Sequence, residues 1–149
     1  MVVLMHDGAH GLIFKNRQTN DLVSQWFCAY PVMTDTLPYR KYHSLHHKYT
    51  ETDKDPDLGL TKAFPTSKYS LIRKVLRDLT GIAGFRRYLG TIKSAWGENL
   101  SFFDHVRKFF TKLKGFFITN LIIFGILYIS GNGWLYLALW WFPLFTFFS

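Results

Sequence analysis

The sequence predicts an all-α protein of integral membrane helices with amphipathic helices lying at the membrane interface. Three observations carry that prediction. Two apolar runs near the C-terminus flank a Gly131–Asn132–Gly133 turn. A strongly basic tract directly precedes them. Histidines stand three and four residues apart in two tight groups, the spacing of one helix face.

Taken in chain order, residues 1–57 hold the histidine groups. "HDGAH" contains His6 and His10, and "HSLHH" contains His43, His46 and His47. Residues 58–114 form a basic interfacial region. In "KYSLIRKVLRDL", residues 68–79, Ile72, Val75, Leu76 and Leu79 share one side of a helix, with Gly81 and Gly84 interrupting afterwards. In "SFFDHVRKFFTKLKGFF" the apolar side is Phe102, Phe103, Val106, Phe109, Phe110 and Leu113, and Arg107, Lys108 and Lys112 fall opposite. Residues 115–149 form a membrane hairpin. Its first leg, "GFFITNLIIFGILYIS", can be lengthened backwards through Leu113, with Lys112 and Lys114 reaching the headgroups. Its second leg is "WLYLALWWFPLFTFF", residues 134–148. A spanning helix needs roughly 20 apolar residues, so each leg is short; a buried soluble hairpin is the weaker alternative. Trp134, Tyr136, Trp140 and Trp141 suit interface anchoring, with some of them lying deeper.

Charge and cysteine usage exclude other classes. The chain of 149 residues carries a formal net charge of +8. From Lys62 to Lys114 there are twelve Lys/Arg against Asp78, Glu98 and Asp104, a net of +9. No zinc-finger spacing or aromatic RNA-binding motif accompanies the tract, so no nucleic-acid partner is expected. Its place before an apolar block assigns it to the cytosolic, positive-inside face, toward anionic lipid. The single Cys28 excludes an internal disulfide framework and a CxxC metal site. The apolar "MVVLM" start is too short for a secretory signal and lacks a basic leader.

The histidines carry the chemistry. Two helices facing each other would bring His6, His10, His43, His46 and His47 onto a common centre. Neutral imidazole is a ligand for iron, zinc or copper, and histidine is not otherwise a preferred helix residue. "HDGAH" is one residue away from the zinc-protease HExxH pattern, but Asp7 stands where the glutamate would be and is a methylene shorter. Five imidazoles also exceed what an open catalytic zinc site uses. The protease reading is therefore set aside.

"MHDGAHGLIFKNRQTND" followed by "YRKYHSLHHKYTETDKDPDLG" resembles the membrane fatty acid desaturase and hydroxylase superfamily. The resemblance runs from the first residues through the DPD stretch, with the basic region and the hairpin following in the expected order. It implies a cytosolic helical cap carrying the histidine boxes, and two non-haem iron ions that activate O2 with electrons from a ferredoxin or cytochrome b5. It further implies desaturation or hydroxylation of a membrane lipid or acyl substrate. Carried over position by position, His6, His10, His43, His46 and His47 would be iron ligands. Asp7, Asp55 and Asp57 would stand behind them, hydrogen-bonding ligand imidazoles. For Asp55 and Asp57 a turn or cap after the histidine helix is an equal alternative.

Other polar residues are expected to play lesser roles. Arg40 and Lys41 read as solvated charge first, and as contacts for an acidic headgroup or electron donor second. Asn16, Asn20 and Asp21 read as a polar loop and helix start without chemistry. His105 reads as a solvent-exposed histidine outside the site. Trp26, Phe27 and Tyr30 read as interface packing, with an acyl-channel lining as the alternative. The third histidine box and an upstream membrane pair that the resemblance calls for are not in the sequence. The chain is thus expected to be a central fragment, inactive alone. Within the same chemistry, acyl desaturation is the first expectation and hydroxylation or ketolation of a lipid, carotenoid or alkane the second. A truncated membrane protein without catalysis, and a haem protein with paired histidines, are the readings from other classes. Clustered histidines argue against the haem, which needs imidazoles on opposite faces of a ring.

Overall fold

Helix α1 (Val2–His10) ends where glycine permits a reversal. Gly11 takes a φ of 79°; its amide donates to Gly8 O at 3.1 Å and the Leu12 amide to Asp7 O at 2.9 Å. This pair of bonds closes the last turn in a conformation that a Cβ would strain. Helix α2 (Arg17–Val23) starts on Asn16, whose side chain accepts from Thr19 N at 3.0 Å. A π-helical segment (Ser24–Ala29) and a 3₁₀ turn (Tyr30–Val32) continue it. Asp35 caps helix α3 (Thr36–Tyr49) by accepting from Leu37 N at 3.1 Å. The rest of the chain forms α4 (Leu58–Thr61), α5 (Lys68–Leu79), α6 (Ile82–Trp96), α7 (Phe102–Ile129), a π-helical segment (Tyr136–Trp141) and α8 (Phe142–Thr146). The computed structural model describes residues 2–62 and 64–146, and among these there is no strand. The all-α expectation holds.

The chain divides into two compact units. The first is Met1–Ala29 with Thr34–Arg73, and the second is Tyr30–Met33 with Lys74–Ser149. In the first, Met5, Cys28 and Ala29 form a small core with Val2 and Tyr39 packed against it. Helix α1 approaches the π-helical segment so closely that a Cβ on Gly8 would lie 2.1 Å from Ser24 Oγ and 2.4 Å from Ser24 Cβ. The Ser24 and Thr36 hydroxyls, both buried, bond at 2.9 Å, which ties that segment to the start of α3. The histidine helices α1 and α3 are therefore packed on one shared support.

Helix α5 buries none of its residues, and its apolar side, Ile72, Val75, Leu76 and Leu79, is exposed. That is the pattern expected of a helix whose apolar side meets a membrane interface. Gly81, with a φ of 75°, follows the end of α5 as expected, but Gly84 makes no interruption. It lies inside α6, where a Cβ would meet Phe145 O at 2.2 Å, so it serves a close helix contact.

In the second unit the expected interfacial helix and first membrane leg are one continuous helix, α7. Ser101 caps its start, accepting from Asp104 N at 3.2 Å. No proline follows, and Gly115 packs against the Tyr30 ring instead of breaking the helix. At 28 residues α7 is about 42 Å long, against a bilayer core of about 30 Å, so its basic first turns exceed the apolar span. Among the described residues it is the one helix long and apolar enough to cross a membrane. The second leg is a shorter apolar helical stretch, Tyr136–Thr146; residues 147 and 148 of the expected leg lie outside the described residues.

One polar node joins these elements. Asn120 is buried on α7; its amide donates to Pro31 O at 3.1 Å and Phe116 O at 2.9 Å. Its Oδ1 accepts from Tyr136 OH at 2.9 Å and Trp140 Nε1 at 2.8 Å. Tyr136 is thus buried and Trp140 half-buried within the protein, with their polar tips satisfied. Asn120→Leu is expected to lower stability by about 1–2 kcal/mol, because it leaves two donors without an acceptor in an apolar setting. Unfolding in mixed detergent checks this, and an unchanged midpoint would count against it.

Candidate metal centre

Four of the five expected imidazoles converge. One nitrogen from each of His6, His10, His43 and His47 can be chosen so that all four lie within 4.8 Å of one another. His43 and His10 each neighbour the other three: the His43 ring centroid is 4.6 Å from His6, 5.1 Å from His10 and 4.4 Å from His47, and the His10 centroid is 4.7 Å from His6 and 5.0 Å from His47. Nitrogens bound to one metal at about 2 Å would stand roughly 3.4 Å apart, or about 4.2 Å when opposed. The cluster is therefore within a small side-chain adjustment of coordination. Its donor set, all imidazole with no thiolate, suits iron, zinc or copper.

Helical spacing explains half of this arrangement and packing the other half. His6 and His10 share one side of α1 with centroids 4.7 Å apart. His43 and His47 share one side of α3, with their Nε2 atoms 3.0 Å apart. Burial, followed by the neighbouring histidines, pushes His10 and His43 below the usual imidazole range. Both rings are thus held in the neutral, ligating form at neutral pH. The Tyr39 ring stacks on His43 at 5.2 Å and 11°, fixing its plane.

His46 stands apart from the four. Its ring centroid is 5.8 Å from His43 and 5.7 Å from His47, and its Nδ1 is 2.8 Å from Asp55 Oδ1. Asp55 also accepts from Glu51 N at 2.9 Å and Asp57 N at 2.8 Å. Burial works to raise its carboxyl, but the His46 bond and the two amide bonds outweigh it, and the net direction is down. Asp55 is thus ionised, accepts from Nδ1–H, and leaves His46 Nε2 free to ligate. The same bond raises the His46 imidazole above its usual range, against a smaller opposing effect of burial. Both alternatives for Asp55 coexist: it organises the turn after α3 and holds a histidine. Asp57 Oδ2 lies 3.6 Å from His46 Nδ1, too far to bond, and its Oδ1 accepts from Tyr42 OH at 2.6 Å. Asp7 Oδ1 lies 3.3 Å from His6 Nδ1, and both side chains are about two-fifths exposed.

Three residues differ from expectation. Arg40 is not solvated charge. Its Nε donates to Ala9 O at 2.7 Å, and its Nη2 to Gly8 O at 3.1 Å and Asp21 Oδ1 at 2.5 Å. Its Nη1 donates to Asp21 Oδ2 at 3.0 Å. Asp21 is accordingly held down to about 2, first by the Arg40 hydrogen bonds. Asn20 is more than a helix start: fully buried, it accepts from Ile13 N and Phe14 N and donates to Gly8 O at 2.8 Å. The sequence signal for Arg40 is its place three residues before His43, on the same side of α3. No comparable signal marks Asn20. His105 lies outside the cluster but is not merely solvated. Its Nδ1 is 2.8 Å from Trp96 O and its ring stacks on Trp96 at 5.0 Å and 6°.

Comparison with known proteins agrees with this geometry. A family model described as fatty acid desaturase matches residues 1–149. Among curated proteins the chain is similar to dihydrorhizobitoxine desaturase of Bradyrhizobium elkanii, at 33% identity over 78 residues. The match covers 47% of this chain and 22% of that protein, so the chain spans about a fifth of its relative. No solved structure matches the chain at a comparable level.

Proposed function

Because the chain belongs to the fatty acid desaturase family, we propose that it forms the histidine-bearing part of a membrane-bound, O2-dependent acyl-chain desaturase. The observation that carries this reading is the convergence of His6, His10, His43 and His47 from two helices that meet only in the fold. Non-haem iron, two ions in the whole protein, fits the imidazole donor set and supplies the O2 chemistry needed to break an unactivated C–H bond, which no side chain can do. His6, His10, His43 and His47 would hold metal directly, and His46 would present Nε2 from its bond to Asp55. The relative's desaturase name favours desaturation over hydroxylation or ketolation, which remain the second reaction for the same site. The exposed apolar side of α5 and the basic tract support a cytosolic interface with anionic lipid, where an electron donor of ferredoxin or cytochrome b5 type would dock. Without the third histidine box that the resemblance calls for, these five imidazoles by themselves are expected to hold metal without turnover.

The test is elemental analysis of the whole protein in detergent, beside a variant with His43, His46 and His47 all changed to Ala. About two irons per chain, lost in the variant, together with O2-dependent introduction of a double bond into an acyl substrate, is the expected result. A well-folded whole protein that binds no metal would favour a non-catalytic membrane protein instead.

A further inference from the structure

We infer that Arg40, held by Asp21, is the positioning residue that sets the separation of the two histidine helices, and that the metal affinity of the cluster depends on it. The inference deepens the proposed function and rests on the reading of the four histidines as metal ligands.

Helix α1 is only nine residues long, and the core beneath it is small. Besides the close contact of Gly8 with Ser24, and the bond from Ser24 to Thr36, a direct tie from α3 to α1 bears on their separation. The last carbonyls of a helix lack partners within it and carry the negative end of its dipole. On α1 these include Ala9 O, adjacent to His10, and the guanidinium of Arg40 reaches it and Gly8 O together. Arg40 itself lies three residues before His43 and seven before His47 on α3. One planar group thus bonds the end of the first histidine helix and stands on the side of the second that carries its ligands.

Asp21 makes the link rigid. It pairs with Nη1 and Nη2, so the guanidinium cannot rotate away from the α1 carbonyls without losing a bidentate ion pair. Asn20, next to Asp21, bonds Gly8 O from the α2 side. These bonds engage four of the five N–H donors of the partly buried Arg40 guanidinium. Lysine could not replace it, because one ammonium cannot hold two carbonyls and a carboxylate in a fixed plane.

The test is cobalt(II) titration of the whole protein in detergent, followed by visible d–d absorption, for wild type, Arg40→Gln, Arg40→Lys, Asp21→Asn and the neighbouring surface change Lys41→Gln. Far-UV circular dichroism reports folding. Arg40→Gln is expected to weaken cobalt binding by about 10–100-fold, as loss of a supporting partner does at metal sites, and to shift the absorption bands. Arg40→Lys should fail to restore either, Asp21→Asn should fall between, and Lys41→Gln should match wild type. Wild-type affinity and spectrum in both Arg40 variants would overturn the inference, even if their melting temperatures fell. Should the Arg40 variants lose helicity, Asp21→Asn decides: a wild-type affinity and spectrum there overturns the clamp. No cobalt binding by wild type, or undiminished binding by His43→Ala, would sink the metal reading itself and this inference with it.

Discussion

Replacing His43 with Ala is expected to weaken metal binding more than replacing His46 or His105. Its ring is the shared neighbour of His6, His10 and His47, with centroid distances of 4.6, 5.1 and 4.4 Å. Loss of an outer supporting partner alone costs about 10–100-fold in affinity at metal sites, so loss of this direct ligand should exceed about 100-fold. His46→Ala should cost less at the four-histidine cluster, because its ring is turned to Asp55. His105→Ala should cost nothing, since that ring is engaged with Trp96. Metal titration of the three variants checks the ranking. Equal losses in all three would mean that the cluster is not one site.

Gly8→Ala is the change expected to disturb the same centre through packing alone. The added methyl would come within 2.4 Å of Ser24 Cβ, and no rotation of the serine side chain moves its Cβ. Helix α1 must then back away from the segment that also bonds Thr36 of α3. Overpacking of this kind costs about 1–3 kcal/mol. Because His6 and His10 ride on α1, metal affinity should fall along with the melting temperature. Adding Ser24→Gly removes the clashing carbon and should recover affinity in part, although the bond to Thr36 is lost. Wild-type stability and affinity in Gly8→Ala would show that α1 has more room than its contact with Ser24 suggests. The glycine between the two histidines thus has a role that its helix propensity would argue against.

Much of the site was legible because its signals are local. Spacings of three and four residues place His6 with His10, and His43 with His47, whatever surrounds them. Asp55 and Asp57 were legible as a pair following the second group, though not which of them bonds His46. That choice depends on how the turn after α3 folds: Asp55 is 7% exposed and receives two backbone amides, whereas Asp57 is taken by Tyr42. In the sequence the membrane signal is a short leg preceded by a separate interfacial helix. The two merge because nothing between Ser101 and Ile129 breaks the backbone, and apolarity alone does not mark a helix end.

By itself, the sequence determined the helical class, the same-face pairing of histidines within each group, the apolar run that forms the later turns of α7 and the apolar side of α5. All of these follow from the rise and period of a helix acting over a few residues. Only the tertiary structure decided which histidines meet, that Arg40 reaches back 31 and 32 positions to α1, and that Asn120 bonds Pro31 across 89 positions. Such partners are brought together by loop paths and close packing at Gly8 and Gly115, where the absence of a side chain makes room for Ser24 and for the Tyr30 ring. No local spacing encodes that packing, because what it depends on is the surface of another element.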